Sequence, residues 1–250
     1  MSDRGIPEHR LTDDTDGVNR TMATDALLRL EQTALFRRLT AREVEDGLGH
    51  ELSERVKSIV DHVAPLMEWI PFHMPEFTLH DPNHGAKVVE LMGRILPPDT
   101  LDALNSIECT CLLLAGYLHD IGMTCSPAER ESIVRSNPQY DRIRRADPEL
   151  QARFEEYQMS GNHRGATAVE DAVLTEFLRR THVTRGAEYI RATLVQGDIA
   201  ITVRGIAFHH WVIAICNSHA LPVSALKDTM KWPRDALIRN FRLNVHPNVA

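Results

Sequence analysis

His119 and Asp120 are adjacent in the sequence and follow the apolar run at residues 112–118. An imidazole and a carboxylate at the end of a buried helix are costly to bury unless a partner compensates their polarity, and a divalent cation is a common partner for both groups. The pair therefore predicts the centre of a metal site. The competing interpretation is a structural pair that ends the helix without binding an ion.

Three further histidines, His84, His182 and His219, lie on three different predicted helices, at or near apolar faces. Because they are far from one another in the chain, only a folded helical bundle could bring them to the pair. Neutral imidazole and carboxylate ligands suit manganese, iron, cobalt, nickel or zinc, whereas thiolates would favour copper(I) or zinc. Each of these histidines also has an alternative role as a satisfied core side chain.

The composition is that of a globular protein: the chain has 250 residues, of which 43% are hydrophobic and 25% charged, and a formal net charge of -7. This length suffices for one large domain with a substantial core. The negative charge excludes a general attraction to nucleic acid or to an anionic membrane. No uninterrupted apolar run reaches the roughly 20 residues of a membrane span. The four cysteines form no Cys-x-x-Cys pair, and we expect a cytoplasmic protein.

The elements that must position these groups are predicted to be helices. Residues 1–24 contain few large apolar groups and are expected to be a disordered tail, followed by one helical domain over residues 25–250. A helix is predicted over residues 84–96, with a core-facing side formed by His84, Val88, Leu91 and Ile95. The helix that leads to the adjacent pair has a predicted buried stripe of Ile107, Cys111, Leu114 and Leu118.

The second half of the chain carries further helical patterns. Residues 126–129 form a capping-box pattern with proline at the first helical position, so a helix should begin there. The charged segment 130–157, which two prolines interrupt, is typical of an exposed helical insertion or lid. Residues 168–201 predict a pair of inward-facing helices, and residues 201–218 predict one more helix that ends at His219.

Four short motifs follow one another along the chain, at residues 77–84, 117–123, 177–182 and 215–219. Together with the Lys-Val dipeptide that begins at Lys87, they resemble the HD superfamily of metal-dependent phosphohydrolases, and more closely its HD-CE branch. The resemblance implies an all-α fold: a single HD-domain helical bundle with the charged insertion. Domains of that branch often precede a GHKL-type ATPase domain and occur in bacterial conflict or stress systems, although no ATPase motif is visible in this sequence.

The same resemblance implies roles for individual residues. The implied metal ligands are His84, His119 and Asp120, with His182 and His219 available for a second cation. The cofactor is therefore one or two divalent metal ions, whose identity stays open among Mn, Fe, Co, Ni, Zn and Mg. Asp120 would bridge or orient a metal-activated hydroxide that attacks phosphorus, and we count His119 and Lys87 with it as catalytic groups.

Positively charged side chains near these motifs are candidates to hold a phosphate group. The candidates are Lys87, Arg179, Arg180 and Arg185. His80 is a further candidate for substrate contact, but a turn or capping role beside Asp81 and Pro82 explains it equally well.

Two departures from the family pattern affect the expected site. HD domains commonly supply a late aspartate after the last histidine, but here only Asp228 and Asp235 follow His219, and neither lies in the usual context. We therefore expect a fragment or a truncated gene product that lacks the final ligand and its helix. The second departure is Met123, which stands where many catalytic HD domains have lysine.

Three functions of different kinds remain open from the sequence. The first is a metal-dependent phosphohydrolase that cleaves a phosphoester bond of a nucleotide or another phosphorylated small molecule. The second is a catalytically silent HD sensor that binds metal or nucleotide and signals to an ATPase partner. The third is an interaction scaffold whose histidines fill a core.

Overall fold

A computed structural model of the protein describes residues 25–74, 81–222 and 224. These residues are almost entirely helical, which confirms the predicted all-α fold class. The tail predicted over residues 1–24 lies outside the described residues. The described residues up to Asn217 belong to one compact unit, and those from Ser218 onward belong to a second.

The helices are α1 (25–31), α2 (Ala34–Glu45), α3 (Glu51–Met67), α4 (Trp69–His73), α5 (Pro82–Ile95), α6 (Pro98–Ala103), α7 (Ser106–Leu118), α8 (Pro127–Ser136), α9 (Pro138–Ala146), α10 (Pro148–Met159), α11 (His163–Thr193) and α12 (His209–Ser218). Two 3-10 turns cover Ile121–Met123 and Gly197–Ile199, and two short strands are β1 (Thr202–Val203) and β2 (Ile206–Ala207).

Helix α7 lies at the centre of the first unit and packs against α2, α3 and α5. It begins with a reciprocal capping box, in which the Asn105 side chain accepts from the Glu108 backbone and the Glu108 carboxylate accepts from the Asn105 backbone. The sequence predicts one buried stripe on this helix, but the helix is buried on all sides. His119 and Asp120 therefore follow a helix that is buried on all sides.

Helices α5 and α7 approach closely because each carries a glycine at their contact. Gly85 lies against the ring of Tyr117, and Gly116 lies against Val89, so close that a Cβ atom at either glycine would clash. The buried side of α5 is therefore its small-residue side, which includes Ala86.

The core-facing side predicted for α5 is wrong. Leu91 and Ile95 lie outside the core, with 42% and 78% of their surfaces exposed. The physical reason is that the glycine contact with α7 permits a closer approach of the two backbones than a row of large side chains would allow.

Helix α11 is one continuous helix of 31 residues, where the sequence predicts a pair of helices over 168–201. Its closest partner is the 3-10 turn Ile121–Met123, which directly follows His119 and Asp120. Gly122 in this turn lies against the backbone of His182 and Gly186. A glycine contact therefore fixes the functional pair against α11, just as another fixes α5 against α7.

The predicted insertion forms helices α8, α9 and α10, each with proline in its first turn. Ser126 caps α8 as predicted, because its side chain accepts from the Glu129 backbone. The charged residues lie mostly at the surface, but Ile133 and Tyr140 are buried against α11 in a core cluster that includes Phe177. The insertion is thus packed on α11 through its inner apolar side.

The single helix predicted over residues 201–218 is only partly correct. Residues 202–207 form a hairpin in which Thr202 pairs with Ala207 and Val203 with Ile206. Its two turn residues, Arg204 and Gly205, both have positive φ angles, of 48° and 76°, as a tight two-residue hairpin turn of this kind requires. A positive φ angle is unfavourable for arginine because of its Cβ atom. Residue preferences therefore do not predict a hairpin turn at Arg204.

All four cysteines are buried. Burial raises the pKa of Cys125 to about 11 and the pKa values of Cys109 and Cys216 to about 12. The thiols therefore behave as small apolar groups of the core, as the sequence predicts for Cys109 and Cys111. Among the described residues, no helix has the length and apolar character needed to cross a bilayer.

We expect Gly122→Ala to lower the free energy of unfolding by about 3 kcal/mol, because overpacking against rigid backbone cannot relax cheaply. An added Cβ would lie 1.9 Å from the His182 carbonyl oxygen and 2.5 Å from the Gly186 nitrogen. Gly186→Ala is the matched control, since its Cβ would be 3.5 Å from the Gly122 nitrogen, an ordinary contact. Urea unfolding should show unchanged or slightly raised stability for Gly186→Ala. Equal losses in both variants would contradict the proposed contact.

Candidate metal centre

The N-terminus of α5 positions His84. Asp81 is the capping residue, and its Oδ1 accepts a hydrogen bond of 2.9 Å from the His84 backbone nitrogen. Pro82 occupies the first helical position, where its missing N–H and fixed φ angle favour helix initiation. His84 therefore lies in the rigid first turn of a well-capped helix.

The C-terminus of α7 positions the adjacent pair. His119 is the C-cap residue and donates its backbone N–H to the Ala115 carbonyl at 3.0 Å. Asp120 then leaves the helical conformation, with φ of -107°, and the 3-10 turn begins at Ile121. The chain thus turns away from α7 directly after the imidazole and places the carboxylate beside it.

His84, His119 and Asp120 meet in the folded protein. One ligand atom from each lies within 4.8 Å of the other two, and the two imidazole ring centres are 5.6 Å apart. Two ligand atoms at about 2.1 Å from one ion lie at most about 4.2 Å apart, so small side-chain adjustments suffice for shared coordination. The donor set of two imidazoles and one carboxylate fits a divalent transition metal.

Hydrogen bonds orient the imidazole of His119. Its Nδ1 lies 3.1 Å from the Gly116 carbonyl oxygen and donates to it, while its Nε2 lies 2.8 Å from Asp120 Oδ2. A metal-ligating histidine typically donates its other ring N–H to such a carbonyl, which fixes the tautomer and the direction of the free nitrogen. His119 is arranged in this way.

His182, on α11, faces the other oxygen of the same carboxylate. Its Nε2 lies 3.9 Å from Asp120 Oδ1, and its Nδ1 donates to the Arg179 carbonyl at 2.7 Å. Asp120 is therefore flanked by two imidazoles, and its side chain is only 8% exposed. This arrangement allows one carboxylate to contact two cations.

The charge of Asp120 changes the ionisation of its neighbours. Burial lowers the pKa of His119, but the hydrogen bond and the attraction from Asp120, with the carbonyls of Gly116 and Ala115, outweigh burial and raise it above its ordinary value. For Cys216, burial is the main cause of a raised pKa, and the Asp120 charge adds to it. Sequence reasoning did not connect Cys216 with Asp120, because no local pattern links the end of α12 to the end of α7.

Three of the predicted phosphate-binding cations lie in surface ion pairs. Lys87 pairs with Glu90 at 2.8 Å, and Arg179 and Arg180 both pair with Glu176, at 2.8 and 2.5 Å. Exposed pairs of this kind contribute little free energy and exchange partners readily. The role of these three cations in binding a phosphate stays a prediction.

Arg185 has a structural role that the sequence did not predict. Its guanidinium donates to the carbonyls of Gly122 and Thr124 at 2.7 and 2.6 Å, and it pairs with Glu129 at 2.7 Å. These contacts join α11, the turn after Asp120 and the first turn of α8. Arg185 therefore holds the loop that follows the functional pair.

The remaining predicted residues fall into separate cases. His80, Asp228 and Asp235 lie outside the described residues, so their predicted roles and the expected loss of a late ligand stay predictions. His219 is exposed and belongs to the second unit, and its role as a ligand also stays a prediction. Met123 is buried in the core cluster beside α11, and an apolar side chain suits this position.

A comparison with protein-family models identifies the HD-CE family over residues 74–247, which is more than half of the chain. The protein belongs to the HD-CE family, and the resemblance inferred from the four motifs is confirmed. No curated protein and no solved structure matches the chain.

We expect His84→Ala, His119→Ala and Asp120→Ala each to lower the affinity for Mn²⁺ or Zn²⁺ by more than about 100-fold, because each removes a direct ligand. Isothermal titration and elemental analysis of the purified variants measure this loss. His163→Ala removes an exposed histidine at the start of α11 and should bind like the parent protein. Full metal loading of the His119 or Asp120 variant would refute the assignment.

We expect Arg185→Ala to lower the free energy of unfolding by about 2–3 kcal/mol, because three charge-assisted contacts are lost at a side chain that is 19% exposed. Arg185→Lys should recover only part of this loss, since an ammonium cannot reproduce the forked geometry. Arg180→Ala is the control and should cost less than about 1 kcal/mol. Chemical denaturation compares the stabilities of the three variants. An unchanged free energy of unfolding for Arg185→Ala would contradict the structural role of Arg185.

Proposed function

We propose that the protein is a metal-dependent phosphohydrolase that cleaves a phosphoester bond of a nucleotide or a related phosphorylated small molecule. The observation that supports this most directly is the convergence of His84, His119 and Asp120 in a member of the HD-CE family. Two imidazoles and a buried carboxylate from two helices are a costly arrangement for a purely structural core. A bound cation would compensate the free-energy cost of burying these polar groups.

In this proposal His84, His119 and Asp120 hold the cation. A divalent cation held there would lower the pKa of a water molecule and neutralise charge that develops on the phosphoryl oxygens. The Nδ1–H of His119 donates to the Gly116 carbonyl, which orients Nε2 toward the proposed cation position. Asp120 would bridge or orient the nucleophile.

His182 extends the same site toward α11. With Nε2 at 3.9 Å from Asp120 Oδ1, it is positioned to share the carboxylate with the first ligand set. We assign it to a second cation, with His219 as its predicted companion from the sequence. The carbonyl of Arg179 accepts from its Nδ1 and so fixes the direction of Nε2.

The substrate phosphate is assigned to the surface cations. Lys87 lies one helical turn after His84, and its side chain is 57% exposed in its pair with Glu90. A phosphate dianion competes well with one exposed carboxylate for such a cation. Arg179 and Arg180 are related candidates near His182, and Arg185 stays a candidate that also holds the loop after Asp120.

We expect the purified protein to hydrolyse members of a phosphoester panel when Mn²⁺, Co²⁺, Ni²⁺, Zn²⁺ or Mg²⁺ is added after chelation. The panel contains nucleoside mono-, di- and triphosphates, cyclic nucleotides and an aryl phosphate, and phosphate release is measured. Asp120→Asn should reduce kcat by at least about 100-fold, because the neutral amide loses both metal affinity and the ability to orient the nucleophile.

His163→Ala is the matched control for this measurement and should retain parental kcat. Binding of metal or nucleotide without turnover on the whole panel would instead favour the silent sensor that signals to an ATPase partner. Turnover that persists in the folded Asp120→Asn variant would contradict the proposed role of the centre.

A further inference from the structure

A cavity of about 630 Å³ lies between α1 and α5. This volume is within the range of about 300–1,000 Å³ that is usual for small-molecule sites. Asn83, which lines the cavity, directly precedes His84, so their Cα atoms are about 3.8 Å apart. A molecule in the cavity is therefore held beside the helical turn that carries a proposed metal ligand.

The walls of the cavity are fixed by the same contacts that build the metal centre. Tyr117 donates its hydroxyl to the Ala26 carbonyl of α1 at 3.3 Å, and its ring packs against Gly85 of α5. Ala26 and Leu30 anchor α1 because both are fully buried. These contacts hold α1 and α5 on the two sides of the space, which is therefore pre-formed, as ligand sites usually are.

The charges that line the cavity balance one another. Arg29 pairs with Asp25 at 3.0 Å on α1, and Lys87 pairs with Glu90 at 2.8 Å on α5. A highly charged polyphosphate would meet two carboxylates as well as two cations, which disfavours it. An uncharged ligand rich in hydroxyl and N–H groups suits such a lining, because carboxylates accept hydrogen bonds from these donors.

Two side-chain amides complete the polar lining, one from each side. Gln32 follows α1, and Asn83 lies in the first turn of α5. The Asn83 Oδ1 atom is buried and has no hydrogen-bond partner among the described residues, while its amide nitrogen makes only a long contact of 3.4 Å with Asp81. A rotation of this amide toward a ligand N–H satisfies the oxygen at the cost of a weak contact.

Leu28 adds an apolar surface at the same cavity, where 53% of its own surface is exposed. The cavity therefore combines three kinds of group. Its amides can recognise N–H and carbonyl edges, its carboxylates can accept from hydroxyls, and its aliphatic surface can contact a flat ring. Each of these features matches a different part of a nucleoside.

We propose that this cavity takes the nucleoside part of a nucleotide substrate, so that its phosphate lies toward His84. Gln32 and Asn83 bind the base edge, Asp25 and Glu90 accept from the sugar hydroxyls, and Leu28 contacts the face of the ring. This inference rests on the proposed phosphohydrolase function and specifies the class of substrate for that site.

The first experiment measures binding of adenosine, cytidine, guanosine and uridine to the full chain, with ribose as the control ligand. Nucleosides lack phosphate, so their binding does not depend on the metal centre. We expect at least one nucleoside to bind more tightly than ribose, and the Gln32→Ala/Asn83→Ala double variant to lose about tenfold in affinity. His119→Ala should bind the nucleoside like the parent protein.

The second experiment compares KM for the matching nucleoside monophosphate with KM for an aryl phosphate, which has no nucleoside. The double variant should raise KM about tenfold for the nucleotide and leave the aryl phosphate unchanged. Ile95→Ala is the matched control, because Ile95 lies on the same helix, is 78% exposed and does not line the cavity. Thermal unfolding of each variant verifies that the fold is retained.

The outcomes separate the two proposals. Nucleoside binding that depends on Gln32 and Asn83, without hydrolysis of any phosphoester, would retain the cavity assignment and reject the phosphohydrolase. Hydrolysis with no nucleoside binding, or equal changes of KM for both substrates in the double variant, would overturn the cavity assignment and leave the phosphohydrolase intact.

Discussion

The contact between Gly122 and the backbone of α11 is the constraint on which the centre of this protein depends. Only a residue without a side chain fits beside the His182 carbonyl oxygen at this distance. The contact holds the turn after Asp120 against α11, and it thereby places His182 beside the carboxylate. The glycine contact between α5 and α7 has the same effect on His84. Two close backbone approaches, each made possible by glycine, bring two distant segments of sequence, those of His84 and His182, to the carboxylate beside His119.

Electrostatics explains why this arrangement could hold a metal ion. A carboxylate as buried as Asp120 is unfavourable by itself, and the imidazoles of His119 and His182 compensate part of the desolvation. Backbone carbonyls occupy the Nδ1 atoms of both rings, so both Nε2 atoms are directed to Asp120. The donor atoms are thus fixed in direction, and preorganisation of this kind would favour coordination of a cation.

The sequence was sufficient for the helical class, for the adjacent pair and for the helix that begins after Ser126, because these depend on local patterns. It was insufficient where packing between distant segments decides. The buried side of α5 follows from its glycine contact, which apolar periodicity does not reveal. The role of Arg185 follows from carbonyls that are sixty residues away in the chain. The hairpin at Arg204 depends on an unfavourable φ angle that residue preferences argue against. The helices that carry the candidate residues could therefore be predicted from the sequence, but the contacts that hold these helices together could not.

The four buried thiols have a practical consequence for the study of this molecule in solution. Because burial suppresses the reactive thiolate, a thiol-specific dye reacts only with conformations that have opened transiently. Cys125 lies beside the α8–α11 packing and Cys216 near the end of α12. The labelling rate of each cysteine therefore measures how often the structure around it opens by local unfolding.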